Sequence, residues 1–532
     1  MARDPVSLSR RGLLGATSIL ALPGVARAQT RAGGNALIIA TTAEATSLDP
    51  HFHEHDPSIT VHRQVFEFLV GQGPRMELRP ELATSWRARN PLTWEFKLRA
   101  GVLWHDGSAF TAEDVLASFR RIPQVPNSPS SFALYVRQIT EAVAEDPLTL
   151  VFRTATPFPL MPNYMGAVMI VPAAQEQAST QDFNSLRATI GTGPYRIVEY
   201  ARGQRIVLEA NPRHWAGAPA FERVTVRPIT ANGPRVAALL TGEVGLIDQP
   251  PPTDLPRLRA ASTTHVVESV GNRIVYFGFD LHRDIAPGVT ALDGSPIPNP
   301  FRDRRVRQAM SLAINRDAIC RQVMEGMATP ANQFVDRGVF GHAPAIPPLA
   351  FDPDRARRLL AEAGLAEGFR LPIHGTNDRL VNDEKVLQAI AQMYARIGIR
   401  AQVEALPSAA FFPRVGRLEF AFFFNSWGAG SSGGMTTMRS ALGTFDRDRG
   451  LGATNRGRYS NMEVDRRIVE ALATIENEQR EALLRQATEI AMADFAVLPT
   501  HWMLNLWAMR NTVDYEPRMD GFTLATSARP RA

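Results

Sequence analysis

The chain has 532 residues, 45% of them hydrophobic and 21% charged, with one cysteine and a formal net charge of +5. That length exceeds the ~250 to 300 residues at which a single core stops growing, so two or three lobes are expected. With Cys320 alone, no disulfide framework can hold them together. Lys97 and Lys385 are the only lysines, and so small an excess of arginine over acid makes no polybasic surface, which excludes nucleic acid as a partner.

The first 28 residues read as an export signal. Arg3, Arg10 and Arg11 precede an apolar run from Leu13 to Leu22, and Ala26-Arg27-Ala28 offers a cleavage site that leaves Gln29 first. Ser9-Arg10-Arg11-Gly12-Leu13-Leu14 fits a twin-arginine signal, which exports folded proteins; an ordinary Sec signal carrying two arginines is the alternative. Loss of Arg3, Asp4, Arg10, Arg11 and Arg27 with this segment lowers the net charge to +2. No later apolar run approaches the roughly 20 residues that span a bilayer, so a soluble mature protein is expected.

From Leu37 a strand leads through a polar loop into a helix opened by Asp56-Pro57, with Val61, Val65 and Leu69 on one face. Leu92, Trp94, Phe96 and Leu98 alternate with polar residues, the pattern of a strand with one buried face. The turn Trp104-His105-Asp106-Gly107 follows, and Thr111 caps a helix whose third residue is Asp114 and whose inward side carries Val115, Leu116 and Phe119. Leu148, Leu150 and Phe152 alternate in the same way. A hairpin over Tyr195 to Ala210 turns at Arg202-Gly203, and Val224 and Val226 continue a strand.

A Pro/Gly-rich segment from Pro287 to Pro300 divides this β-rich half from a more helical one and marks the expected boundary between lobes. Helices are predicted at about 303 to 325, 353 to 363 and 381 to 397. The last lies between strands at Phe369 to His374 and Ile399 to Ala405, which makes a parallel βαβ unit. Phe420 to Phe424 is a buried strand that runs into Asn425-Ser426-Trp427-Gly428-Ala429-Gly430-Ser431-Ser432-Gly433-Gly434, and the ends of such strands are where open α/β sheets hold ligands. A long helix over Glu478 to Asp494 and a final strand with Trp502 and Trp507 complete the chain.

Residues 101 to 119, GVLWHDGSAFTAEDVLASF, closely resemble the signature of the family 5 extracellular solute-binding proteins, the peptide, nickel and oligosaccharide receptors of ABC importers. The resemblance extends through Ser47-Leu48-Asp49-Pro50-His51, LRPELATSW (78 to 86) and Gly191-Thr192-Gly193-Pro194-Tyr195. It continues through RDRRVRQAMSLAINRDAI (302 to 319), DPDRARRLLAEAG (352 to 364) and IAQMYARIGI (390 to 399). It implies an α/β periplasmic-binding-protein fold: two lobes around a cleft, with an inserted subdomain. Lobe one would comprise 29 to 65, 190 to 285 and 495 to 532, the subdomain 66 to 189, and lobe two 286 to 494. It also implies a monomer in the periplasm that binds a small solute and hands it to the permease subunits of an ABC importer, without cofactor and without catalysis.

Several residue clusters bear on that expectation. His51, His53 and His55, with Glu54 and Asp56, share a face if extended and would suit zinc, nickel or copper, so a nickel or metal-chelate receptor is one alternative. A solvated loop is the plainer reading. A secreted hydrolase is a second alternative, but no Gly-x-Ser-x-Gly elbow occurs, Cys320 sits among helical apolar residues, and His105-Asp106 reads as a turn. Gly191 to Tyr195 lacks the Lys-Ser/Thr of a phosphate loop.

Binding is assigned to the loop after Phe424 and its neighbours: Asn425, Ser426, Trp427, Gly428 and Gly430, with Ser47 and Asn377. Arg456, Arg458 and Tyr459 form a second polar cluster suited to a ligand carboxylate. In peptide receptors of the family an Asp shortly after the Trp pairs with the peptide amine, and dipeptide receptors carry an Arg near the place of Gly375 that takes the carboxylate. Here Gly430 and Gly375 stand in those places, which implies that both anchors are absent.

Overall fold

Two long strands, Thr264–Phe279 and Leu498–Arg510, pair antiparallel along most of their length. On one side of this pair the sheet continues through Phe422–Gly428, Arg370–Thr376 and Arg400–Leu406. On the other it continues through Leu246–Asp248, Ala36–Thr41, Arg223–Pro228, Arg205–Ala210 and Tyr195–Ala201. The computed structural model of the protein describes residues 35–428, 430 and 433–531, so the expected export signal and Ala429, Ser431 and Ser432 lie outside it. Among the described residues no helix is long and apolar enough to cross a membrane.

The ladder between the long strands shifts register between Val270 and Ile274, and Gly271, Asn272 and Arg273 occupy the irregularity. At this bulge three residues face the single residue Met503 of the partner strand, the Asn272 amide donates to the Met519 carbonyl, and Arg273 keeps its register with Gly428 on the other side. On either side of it the sheet feeds a different core. Phe277 and Phe279 pack with Phe301, Ile390, Phe422 and Leu498, whereas Leu37, Phe66, Tyr195, Leu208 and Trp507 form a second cluster. These are the two lobes. A third cluster of Trp94, Phe96, Trp104, Val115 and Phe152 belongs to a separate sheet in the order Ala83–Asn90, Thr93–Leu98, Thr149–Thr154, Ile139–Asp146. That sheet and the helix Ala112–Arg121 are the inserted subdomain.

The 101-to-119 signature is a docking element. One Asp114 carboxylate oxygen accepts from the Thr111 amide at 2.8 Å and the Trp104 indole at 3.3 Å, while the other accepts from the Ala173 amide at 2.8 Å. His105 ties this subdomain to lobe one: its Nδ1 accepts from the Gly191 amide at 3.2 Å, which leaves Nε2 to donate to the Gly193 carbonyl at 3.0 Å. A Cβ on Gly191 would lie 1.8 Å from the Val65 carbonyl oxygen, and one on Gly193 2.6 Å from it, so both positions require glycine for close backbone approach.

Several local expectations are corrected. Leu92 precedes its strand and is exposed at 41%. The helix expected over 303 to 325 stops at Leu312 and restarts at Arg316, because the Asn315 side chain accepts from the Ala318 amide and caps a new turn, which then widens into a π-turn at Ile319–Val323. The segment 287 to 300 does not lie between cores, since Val289 packs with Phe301 and Phe369 in one cluster. Asn425 to Gly428 are not loop residues. They continue the strand Phe422–Gly428, because the partner strand offers pairing as far as Arg273. The βαβ unit forms as parallel strands Arg370–Thr376 and Arg400–Leu406 around the helix Asp383–Ala395. Cys320 is buried among Ile319, Met324 and Tyr394, and burial pushes its thiol up to about 12.

Buried histidines give the fold a pH dependence. Burial holds His51, His62 and His501 down to about 4, against the ordinary 6.5. The unfolded chain takes up these protons as pH falls through about 6.5, while the folded chain resists until about 4. The stabilisation is therefore complete above about 6.5 and is lost between there and about 4. The urea midpoint should fall across that window. His501→Leu, which removes a ring with no other resolved cause for its shift, should flatten the slope by about one proton.

Candidate functional site

Between the lobes lies a cavity of about 740 Å³, within the roughly 300 to 1,000 Å³ of small-molecule sites. Lobe one contributes Thr42, Asp56, Asp248 and Asp520 to its wall, the subdomain Tyr135 and Met169, lobe two Arg379, Gly428 and Gly430, and the long strand shared by the lobes Arg273. Strand ends and loops supply most of these groups, which is where rigid sheets place functional side chains.

Several charged groups on the wall already have ion-pair or hydrogen-bond partners. Asp520 holds Arg63 at 3.2 Å and Arg518 at 2.5 Å, with all three side chains almost completely buried. Arg63 lies over the Phe522 ring at 5.1 Å. Glu54 accepts from the Tyr135 hydroxyl at 2.6 Å, and Arg205 pairs with Glu199 at 2.8 Å. Arg235 donates to the carbonyls of Ile229 and Gln249 and to Asn232 Oδ1. Asp248 accepts from the Thr42 amide at 2.9 Å, and burial raises its carboxyl to about 6 although the Arg235 charge acts against that rise.

Arg273 and Arg379 differ from these. Among the described residues neither has a carboxylate within ion-pair distance. Arg273 donates to Ser426 Oγ at 3.3 Å, and the Arg379 guanidinium stands 4.8 Å from the Phe412 ring centroid. Burial lowers the pKa of Arg273, opposed by the Asp56 charge. Arg379, exposed by area on the wall, is lowered by the protein crowded around it and next by the like charge of Arg273.

Of the residues expected to bind, Gly428 and Gly430 line this cavity. Trp427 alternates to the opposite face of its strand, where its indole donates to Thr437 Oγ1 at 2.9 Å and its ring packs beside Met435 and Leu484. Ser426 reaches the cavity only through Arg273. The Asn425 side chain accepts from the Ser426 amide at 2.8 Å. Ser47 is buried and hydrogen-bonded to Asn184 and the Asp49 amide, and Asn377 donates its amide to the Leu406 carbonyl.

Arg456, Arg458 and Tyr459 do not line this cavity, although Tyr276 feels the charge of Arg456 as well as that of Arg379. Gly457 packs against Phe279, six residues along the strand from Arg273, a distance of about 20 Å at ~3.4 Å per residue. There Arg458 lies 3.7 Å from the Phe445 ring centroid, and Tyr459 is buried.

Gly375 faces the core, where a Cβ would meet Leu387 at 2.7 Å, so no anchor projects into the cleft from that position. The arginine of this segment that lines the cavity is Arg379, four residues on. Arg273 was missed as well. Its signal was the Gly-Asn-Arg run immediately before the apolar stretch Ile274 to Phe279.

The histidines separate. His51 is buried, donating from Nε2 to the Met169 carbonyl at 2.7 Å and accepting from Arg121 on Nδ1 at 3.0 Å. His53 stacks on His55 with ring centroids 5.1 Å apart. Among the described residues no three His, Cys, Asp or Glu side chains converge as a metal site.

Two lobes walling a charged cleft are the architecture of a solute-binding protein. The chain matches the model of the bacterial extracellular solute-binding proteins, family 5 Middle, over residues 77–448, and belongs to that family. It is 31% identical over 472 residues to the glutathione-binding protein GsiB of Pectobacterium atrosepticum, 86% of each chain. To GsiB of Escherichia coli K12 it is 28% identical over 474 residues, 87% of this chain and 88% of that one. HbpA2 from Haemophilus parasuis shares the fold with a TM-score of 0.82 at 22% identity, over 94% of this chain and all of that one. The unliganded open form of the murein tripeptide-binding protein MppA gives 0.80 at 21% identity, over 94% and 98%.

Asp520 is the group on which the cleft floor depends. Asp520→Ala leaves two buried guanidiniums facing each other and should destabilise the protein by about 3 to 5 kcal/mol, read as a lowered urea midpoint with an unchanged slope.

Proposed function

We propose that the protein is the periplasmic receptor of an ABC importer, which captures a small peptide-like solute in the 740 Å³ cleft and presents the closed form to its membrane permease. The observation that carries this reading is the wall itself: both lobes contribute polar groups to one cavity, so a ligand that touches both favours closure by its differential affinity for the closed state. The likeness to two glutathione-binding proteins supports glutathione and related peptides as first ligands to test. The first 28 residues, removed after Ala28, would direct export, and a monomer suffices for the task. The role is capture without turnover.

The hinge we assign to Gly271, Asn272 and Arg273 on one long strand and to Met503 on the other, where the ladder between the lobes is irregular. A Cβ on Gly271 would lie 2.9 Å from the Met503 carbonyl oxygen. Gly271→Val should therefore change ligand affinity and the solution-scattering difference between free and bound protein, while the lobes themselves stay folded.

Thermal-shift screening of glutathione, dipeptides and tripeptides should yield at least one stabilising ligand, since saturation at 100 times Kd adds about 2.7 kcal/mol. Hydrolysis of such a ligand by the pure protein at an enzyme-like rate, or the absence of any small-molecule ligand, would refute the assignment.

A further inference from the structure

We propose that Met76 is a size-determining residue of the cleft: its side chain is a stop between the inserted subdomain and lobe two, and it holds the solute to a short peptide by blocking one of its two ends. The proposal rests on the solute-binding reading above and adds the length of the ligand. Met76 lines the cavity, and it lies in the loop between the paired strands Val70–Gln72 and Leu78–Pro80. The Gly73 amide donates to the Glu77 carbonyl at 2.9 Å, so the hairpin pairs as far as those two residues, and Pro74, Arg75 and Met76 form its loop. The Met76 amide donates to the Gly73 carbonyl at 2.9 Å and closes a turn with Pro74 in second position, where the fixed φ of proline suits it. The third residue of such a loop takes the left-handed conformation and is ordinarily glycine. Here it is Met76, at φ 65°. A large side chain in that conformation persists where the surroundings over-determine it, and such positions gather at ligand clamps.

Lobe one supplies that constraint. The Met519 amide donates to the Pro74 carbonyl at 2.8 Å, and the Arg518 guanidinium donates to the carbonyls of Gln72 at 3.2 Å and Gly73 at 3.4 Å. Arg63 donates to the Gln72 carbonyl at 3.4 Å, and Asp520 holds both guanidiniums. With the loop fastened in this way to the cleft floor, the Met76 side chain packs against Val335 and Val339 of lobe two, beside Met519. That seat is continuous with the ligand wall. Gly430 lines the cavity, and three residues further on a Cβ on Gly433 would meet the Val339 side chain at 3.1 Å. Met76 therefore stands where the wall passes from the subdomain to lobe two. A peptide lengthened toward that side gains roughly 3.5 Å of backbone per residue and meets a thioether backed by two buried valines.

Titration calorimetry on the full mature protein tests this with dialanine, trialanine and glutathione, and with each of these lengthened by one or two glycines at its amine or at its C-terminal residue. The lengthened forms should bind the unsubstituted protein roughly tenfold or more weaker than their parents, the effect of forcing extra atoms into a packed site. Met76→Gly should recover most of that loss for probes lengthened at one end only, while the parent probes keep their affinity to within about threefold. Glycine takes φ 65° without steric penalty, so the turn keeps its shape in this variant. Met76→Leu, which keeps the bulk, should behave as the unsubstituted protein does.

Unfolding midpoints measured alongside separate a stop from a space-filler: a lowered midpoint with every probe weakened alike in Met76→Gly would overturn the proposal. So would parents and lengthened probes binding the unsubstituted protein equally, no recovery in Met76→Gly, equal recovery at both ends, or recovery in Met76→Leu, each of which leaves solute binding intact. Binding of no peptide probe by the unsubstituted protein would overturn the proposal together with the peptide-receptor reading.

Discussion

The antiparallel pairing of Thr264–Phe279 with Leu498–Arg510 is the constraint on which the rest of the molecule depends. A backbone ladder is stiff along its hydrogen bonds, so each lobe inherits its orientation from the same two strands. The cores then form independently on either side, one around Phe277 and Phe422, the other around Phe66 and Tyr195. Continuous pairing would fuse the lobes into a rigid slab. The ladder shifts register between Val270 and Ile274 and again between Val275 and Tyr276, and Arg273, at the first of these shifts, lines the cleft. The irregular stretch of the ladder and a cation of the cleft wall thus fall at the same place on the strand.

The cleft shows why a large charged cavity need not be costly to an unliganded protein. Asp520 with Arg63 and Arg518 is buried as a compensated triad, and Arg235 is satisfied by carbonyl oxygens and Asn232. The buried Asp520 carboxylate thus has both its partners already in place. Arg379, by contrast, is left exposed on the wall, where water solvates it until the lobes meet.

Element types were readable from the sequence because local periodicity decides them: the alternation at Thr93–Leu98, the cap at Thr111 and Asp114, and the βαβ unit at 370 to 406 all form. Element ends were less readable, because the strand through Asn425 to Gly428 persists only where its neighbour offers hydrogen bonds, a fact of tertiary pairing. The cleft was the least readable part. Gly428 was found through the glycine-rich loop, yet Arg273 lies 155 residues away in sequence and meets Gly428 only through sheet register. Trp427, chosen for its chemistry, turned to the other face because neighbours on a strand alternate. The loop at 454 to 459 carries attractive chemistry beside Phe279, outside the cavity wall.

Cys320 has a use that its inertness creates. Thiol reagents attack the thiolate, and a buried sulfur whose ionisation is pushed up to about 12 presents almost none at neutral pH. The native protein is therefore close to silent toward maleimides without any cysteine being removed. A single cysteine introduced on the rim of the cleft would carry a fluorophore alone, and the emission of that dye would report lobe movement in real time. The same scaffold, unaltered in its core, becomes an optical sensor for whatever solute it captures.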